Sequence, residues 1–193
     1  MRLEILGMLG QRAAVLATDG VRYDLFRAES PGIETGEVHE AILWEVAGLP
    51  LTPEEAVELA LGTPLGDSPR VGGATELPGD GSIRIDLEGP DDEARVTLEF
   101  GAEGRLSRYV RRAPAGTPVL DARYGDYRDV DGRSFAHSIE VEFPAAETHA
   151  EIRFQSVELN AELPEGLFRL ELSGAEPHGR APAAPGPWSP SAS

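Results

Sequence analysis

Ser82-Ile83-Arg84-Ile85-Asp86-Leu87-Glu88, followed closely by Ala94-Arg95-Val96-Thr97-Leu98-Glu99-Phe100, decides the fold class. In both stretches apolar residues alternate with charged or polar ones, the period of a β-strand with one buried and one wet face. The same period returns where Ile139, Val141 and Phe143 alternate with Glu140 and Glu142, and where Ile152 and Phe154 alternate with Arg153 and Gln155. Turn signals separate these runs: Asp19-Gly20, Asp80-Gly81, Gly101-Ala102-Glu103-Gly104 and Asp131-Gly132. Short connections between alternating strands imply an antiparallel meander. The pattern predicts strands over 2–7, 11–18, 21–28, 82–88, 94–100, 105–112, 119–126, 135–143 and 149–159. That many strands with one apolar face must curl around something or pair with a second sheet.

A helical insertion interrupts the strands. From His39 to Ala47, Ile42, Leu43 and Val46 share one face, with Glu40 and Glu45 turned away. The second helix has the clearer start: Thr52 as N-cap, Pro53 at the first helical position and Glu55 completing a T-x-x-E capping box. Glu54, Glu55 and Glu58 are expected on its water side, with Ala56, Leu59 and Ala60 opposite, and Gly62 and Pro64 stop it. Two such amphipathic helices must bury their apolar sides against the sheet. Residues 66–81 read as a Gly/Pro-rich loop, and residues from about Ser173 onward as a disordered tail of Ala, Pro, Gly and Ser. The expected fold class is therefore α+β, a curved antiparallel sheet with two short helices over its concave face.

The charge balance bears on partners. With 34 acidic against 17 basic residues, a net charge of −17, the surface repels phosphate backbones and anionic lipid. Nucleic acid is excluded as a partner, and any membrane contact has to be apolar and local. The absence of cysteine removes disulfides, thiolate metal sites, cysteine nucleophiles and a lipid-anchoring cysteine from these residues. No run of about 18 apolar residues is present, and the segment after Met1 is strand-like rather than a leader.

Catalytic signals are weak. Ser134 lies in Gly132-Arg133-Ser134-Phe135-Ala136, which lacks the second glycine of a nucleophile elbow and follows a turn instead of leading into a helix. Asp126, Asp129 and Asp131 miss the D-x-[DN]-x-[DN]-G register of a calcium loop, and a hairpin turn explains them better. His39, His137, His149 and His178 show no metal-ligand spacing. Neither a metal nor an organic cofactor is expected. What the chain offers is apolar surface, which either plugs a closed core or lines a cavity.

Three segments, in order, are similar to the LolA/LolB superfamily of lipoprotein carriers and receptors. Arg2-Leu3-Glu4-Ile5-Leu6-Gly7-Met8-Leu9-Gly10 followed by Ala13-Ala14-Val15-Leu16 resembles the strand, P-L-G turn and strand of LolB-like proteins, with Met8 in place of the proline. Gly48-Leu49-Pro50-Leu51-Thr52-Pro53 through Leu59-Ala60-Leu61-Gly62-Thr63-Pro64 resembles their helical lid, with Glu58 or Leu59 near the family's tryptophan. Phe154-Gln155-Ser156-Val157-Glu158-Leu159-Asn160, then Leu163-Pro164-Glu165-Gly166-Leu167-Phe168, looks like the closing motif of LolA-like carriers.

The resemblance implies a half-open β-barrel over residues 1–172, missing the family's N-terminal helix and first strands, followed by the tail at 173–193. It implies a periplasmic protein, or one on the periplasmic face of the outer membrane, that shelters acyl chains of lipoprotein or lipid without making or breaking a bond. The expected cavity lining is Leu49, Leu51, Ala56, Leu59, Ile85, Leu98, Ile139, Val141 and Phe154, and by residue match Leu9 is expected to be the membrane-contacting turn leucine, with the inner leaflet of the outer membrane as its partner. Two alternatives stay open: a non-enzymatic envelope scaffold of the same fold with a closed core and a protein partner, and a hydrolase with converging polar groups in the cavity.

Overall fold

The computed structural model describes residues 1–6, 9–30, 32–63, 70–79, 81–89, 95–164 and 166–170. Their alternation folds as expected, into two antiparallel sheets that are not closed into a barrel. The first holds β1 (Arg2–Leu6), β2 (Arg12–Thr18), β3 (Arg22–Arg27) and β4 (Ile33–Glu37) in sequence order. After helices α1 (Ile42–Ala47) and α2 (Pro53–Leu61) come β5 (Arg70–Glu76), β6 (Ile83–Glu88), β7 (Arg95–Phe100), β8 (Leu106–Arg112), β9 (Pro118–Val130), β10 (Arg133–Phe143) and β11 (Thr148–Arg153). These seven pair as a second meander, β5 at one edge and β11 at the other.

Register puts the alternating residues into rows. Ile85, Leu98, Tyr109, Ala122 and Val141 stand opposite one another across five strands. The neighbouring positions Arg84, Glu99, Arg108, Arg123 and Glu140 form a charged row on the other face. The apolar row joins one core with Leu16, Tyr23 and Leu25 of the first sheet and Ile42, Leu43, Leu51 and Leu59 of the helical insertion. Both helices therefore lie on the shared inner face.

β2 departs from simple alternation: Ala14 to Thr18 are all buried. Both its faces are covered. Leu16 faces the shared core, while Ala17 stands beside Asp24 on the opposite side. There the C-terminal segment returns: the Leu170 N–H donates to the buried Asp24 carboxylate at 2.9 Å, and Arg2 reaches Leu167 O at 3.4 Å. The chain leaves the sheet after Arg153 to make this return, so the strand expected to continue to residue 159 stops early. The tail expected at 173–193 lies outside the described residues.

Two strands were not foreseen. β4 reads Ile33-Glu34-Thr35-Gly36-Glu37, with one apolar residue and no visible alternation. It is held by its pairing with β3, where the Tyr23 ring lies across Gly36: a Cβ there would stand 2.7 Å from the ring. β5 falls in the segment read as a loop because Gly72 and Gly73 mask it. Its register shifts between Val71 and Gly73, a bulge that admits the extra residue. The Asp131-Gly132 turn matches expectation: both residues have positive φ (51° and 78°) between the paired Val130 and Arg133, the backbone of a type I′ hairpin.

Candidate functional site: a helix latched across the sheet

α2 begins as its sequence dictates. The Thr52 hydroxyl accepts the Glu55 N–H at 3.1 Å, and the Glu55 carboxylate accepts the Thr52 N–H at 2.9 Å, a full capping box. At its other end Gly62 adopts φ +68°; its N–H donates to Leu59 O at 3.1 Å and the Thr63 N–H to Glu58 O at 3.0 Å. That is a Schellman motif, which needs a residue free to take the left-handed conformation.

Glu55 does more than cap. The sequence pattern sets it with Glu54 and Glu58 on the water side, but its second carboxylate oxygen turns inward to Arg111 of β8, 2.5 Å away. Arg111 stands in the inner row opposite Val96 and Leu120, a cation on an otherwise apolar face. Burial disfavours the charged carboxylate of Glu55. The Arg111 bond and the Thr52 N–H outweigh this and hold its pKa below the ordinary glutamate value. A second tie joins the helix end to β9: the buried Tyr124 hydroxyl donates to Leu59 O at 2.8 Å. Burial pushes the Tyr124 pKa upward, so this group stays a neutral donor.

A hollow lies beside each end of α2. At the N-terminal end a hollow of about 760 Å³ is bounded by Thr52, Pro53, Val57, Val38 and His39, with Asp19, Glu40, Glu54 and Glu58 at its rim. At the C-terminal end a hollow of about 400 Å³ lies between Leu61, Gly62, Leu106, Tyr124, Tyr127 and Phe135. Its wall is fixed by the Tyr127 hydroxyl on Leu106 O at 2.6 Å and by Arg105 over the Tyr127 ring at 5.8 Å.

None of the expected lining residues borders either hollow; they pack together in the core. Leu51 and Leu59 from the insertion, and Leu98, Ile139 and Val141 from the sheet, are buried in one cluster; Leu49, Ala56, Ile85 and Phe154 are half-buried against it. Leu9 is set apart, 92 % exposed just beyond β1, with the neighbouring Gly7 and Met8 outside the described residues. Sequence reasoning missed Arg111 and Tyr124. The signal was present in Tyr109-Val110-Arg111, where strand alternation places an arginine on the same face as a core tyrosine.

Polar chemistry gathers elsewhere. Asp126, His137, Ser138, Glu140, Glu151 and Arg153 surround a hollow of about 340 Å³. Asp126 is bonded to Arg128, Glu151 to Arg153, and His137 Nδ1 lies 3.0 Å from Phe135 O. Among the described residues no group of three or more His, Asp or Glu side chains is arranged to hold a metal ion. No described helix is long and apolar enough to cross a membrane.

A scan against protein-family models finds no match, and neither does a search of curated proteins. Solved structures do match. A LolA superfamily protein from Nitrosomonas europaea superposes with a TM-score of 0.54 at 14 % identity, over 84 % of this chain and 72 % of that one. A DUF1329 family protein from Desulfovibrio piger ATCC 29098 superposes with a TM-score of 0.54 at 12 % identity, over 80 % of this chain and 68 % of that one. At such identities the likeness is one of fold. Together with the unclosed antiparallel sheets and the two inner-face helices, it establishes that this chain has the fold of the LolA superfamily.

Proposed function

We propose that the protein is a non-enzymatic carrier or receptor for lipoprotein or lipid acyl chains, working in the periplasm or on the periplasmic face of the outer membrane. The observation carrying this reading is that a short helix, tied by Glu55–Arg111 and Tyr124–Leu59, covers an apolar sheet face, with a hollow beside each of its ends. Release of the ties lifts α2, and acyl chain replaces the contacts of Leu49, Leu51, Ala56 and Leu59 with Ile85, Leu98, Ile139, Val141 and Phe154. Each methylene sheltered contributes about 0.8 kcal/mol toward the cost of opening. The exposed Leu9 is the membrane-contacting residue of this scheme, a small apolar point on an acidic protein.

One observation favours a second reading, an envelope scaffold with a closed core. Leu51, Leu59, Leu98, Ile139 and Val141 are all buried, none more than 6 % exposed. Titration with a fluorescent fatty acid, followed by displacement with a diacylglycerol-bearing lipopeptide, separates the two. Saturable, displaceable binding supports the carrier. A probe that never binds, with a partner protein retained instead, supports the scaffold.

A further inference from the structure

β9, β10 and β11 border a polar hollow of about 340 Å³ on the outer face of their sheet, where Glu140 and Glu151 stand, away from the inner row of Ile139 and Val141. Alternation from Ile139 would send His137 inward, yet it borders this hollow. Beside it β9 turns over. Asp126, flanked by the pairs of Gly125 with Ser138 and Tyr127 with Ala136, takes φ +48°, and beyond it the faces exchange. Tyr127, three residues after Tyr124, borders the same hollow at the end of α2, while Asp126 and Arg128 go outward. His137 is 5 % exposed. Its Nδ1 lies 3.0 Å from Phe135 O, and a carbonyl only accepts, so in the neutral ring the proton sits on Nδ1 and Nε2 keeps a lone pair. Among the described residues this Nε2 has no hydrogen-bond partner. The ring is near enough to Asp126 to add to the Arg128 bond in holding that carboxyl below the ordinary aspartate value.

The charges around this nitrogen do not cancel. Arg128 is bonded to Asp126 and Arg153 to Glu151, each within its own strand. Glu140 is left without an ion pair among the described residues, because Arg123 opposite it turns to Glu142 at 3.7 Å. On its other side Glu140 stands directly across from Glu151, a like-charge pair that destabilises the ladder. The Ser138 hydroxyl lies over Gly125, 2.9 Å from where a Cβ would stand, and adds an oxygen to the same wall. We propose that this hollow binds a primary ammonium group on a short chain, which His137 Nε2, Glu140 and Ser138 accept. An anion is repelled by the uncompensated carboxylate, since each guanidinium is already neutralised by its own partner. A bare metal ion needs ligands converging to about 2.0–2.6 Å, and among the described residues no three acids or histidines are so placed. An ammonium donates three N–H bonds at about 2.9 Å and so bridges acceptors set further apart. A free alkylamine and an ethanolamine headgroup both carry this group.

The test is isothermal titration calorimetry at about pH 8 and about 0.15 M salt, where diffuse attraction to the −17 chain is screened. The probes are n-butylamine, phosphoethanolamine and butyltrimethylammonium. Tighter binding of butylamine makes the source a free amine, and tighter binding of phosphoethanolamine makes it a lipid headgroup. Butyltrimethylammonium has the charge and chain of butylamine but no N–H to donate, so it binds about tenfold more weakly. Glu140→Gln weakens butylamine binding about fivefold, while Glu37→Gln, which removes an equal charge from exposed β4, leaves it unchanged. His137→Phe keeps a ring beside Phe135 and weakens binding about tenfold. Should that variant not fold, nitrogen NMR of the wild-type imidazoles reads the same contact: butylamine shifts Nε2 of His137 and leaves those of His39 and His149 in place. No binding of either amine, equal affinity for the trimethylated probe, equal loss in Glu37→Gln, or an unmoved His137 Nε2 overturns the proposal.

Discussion

Replacing Glu55 by Gln separates the capping role of this residue from its latching role. Glutamine keeps an oxygen able to accept the Thr52 N–H, so α2 retains its start, but the charge facing Arg111 is lost. The two side chains are 25 % and 22 % exposed, sheltered enough for the pair to keep most of its strength. A hydrogen bond to a charged group contributes about 1.5–3 kcal/mol, roughly twice a neutral one. Because the one amide oxygen caps Thr52, the amide NH2 faces Arg111 and this bond is lost outright, which removes about 1.5–3 kcal/mol from the closed state, or roughly ten- to 150-fold in the opening equilibrium. Stopped-flow uptake of a fluorescent fatty acid should speed up by about that factor if α2 opening limits entry, while Tm falls by a few degrees. Uptake at the wild-type rate alongside a lowered Tm would refute the latch, because the bond would then support the fold without gating the ligand.

Further outcomes follow from the same contacts. Tyr124→Phe removes one neutral buried hydrogen bond, but Leu59 O still accepts the Gly62 N–H; uptake should rise less, about fivefold, in the same stopped-flow assay. Acid should also open the helix. Glu55 has a pKa below the ordinary glutamate value of about 4.3, so its contribution is complete above that value and is lost as pH falls through the lowered one. Probe uptake measured down a pH series should accelerate below about pH 4 in wild type and not in Glu55→Gln. Gly36→Ala places a Cβ 2.7 Å from the buried Tyr23 ring and should cost about 1–3 kcal/mol by urea denaturation, although β4 is an edge strand. Leu9→Glu should leave Tm unchanged, since Leu9 is almost fully exposed, and should abolish binding to neutral phosphatidylcholine vesicles in a flotation assay.

The sheet and the start of α2 were legible because each rests on local rules. Period-two alternation places Ile85, Leu98 and Val141 in one inner row, and the T-x-x-E spacing forms the capping box it suggests. What escaped was set by distant partners. β4 has almost no apolar content and exists through β3 and the Tyr23 ring across Gly36. β5 hides behind two glycines at a bulge. Glu55 was placed on the water side because helical spacing alone cannot show that an arginine 56 residues later reaches it from β8. β2 is buried on both faces because the chain returns from its far end to Asp24, a coverage that no alternation within Arg12–Thr18 reveals. For the site the division is similar. The packing of the apolar residues follows from their faces in the sequence, and the polar ties across them do not.

The central claim is that acyl chain occupies the space between α2 and the inner sheet face. Photolabelling with a diazirine-bearing fatty acid, read by peptide mass spectrometry, tests it most directly. The account predicts saturable labelling, competed by unlabelled lipid, on peptides carrying Leu49, Leu51 and Leu59 and on those carrying Leu98, Ile139 and Val141. Labelling confined to the charged outer row of Arg84, Glu99 and Arg108, or no saturable labelling at all, would contradict it.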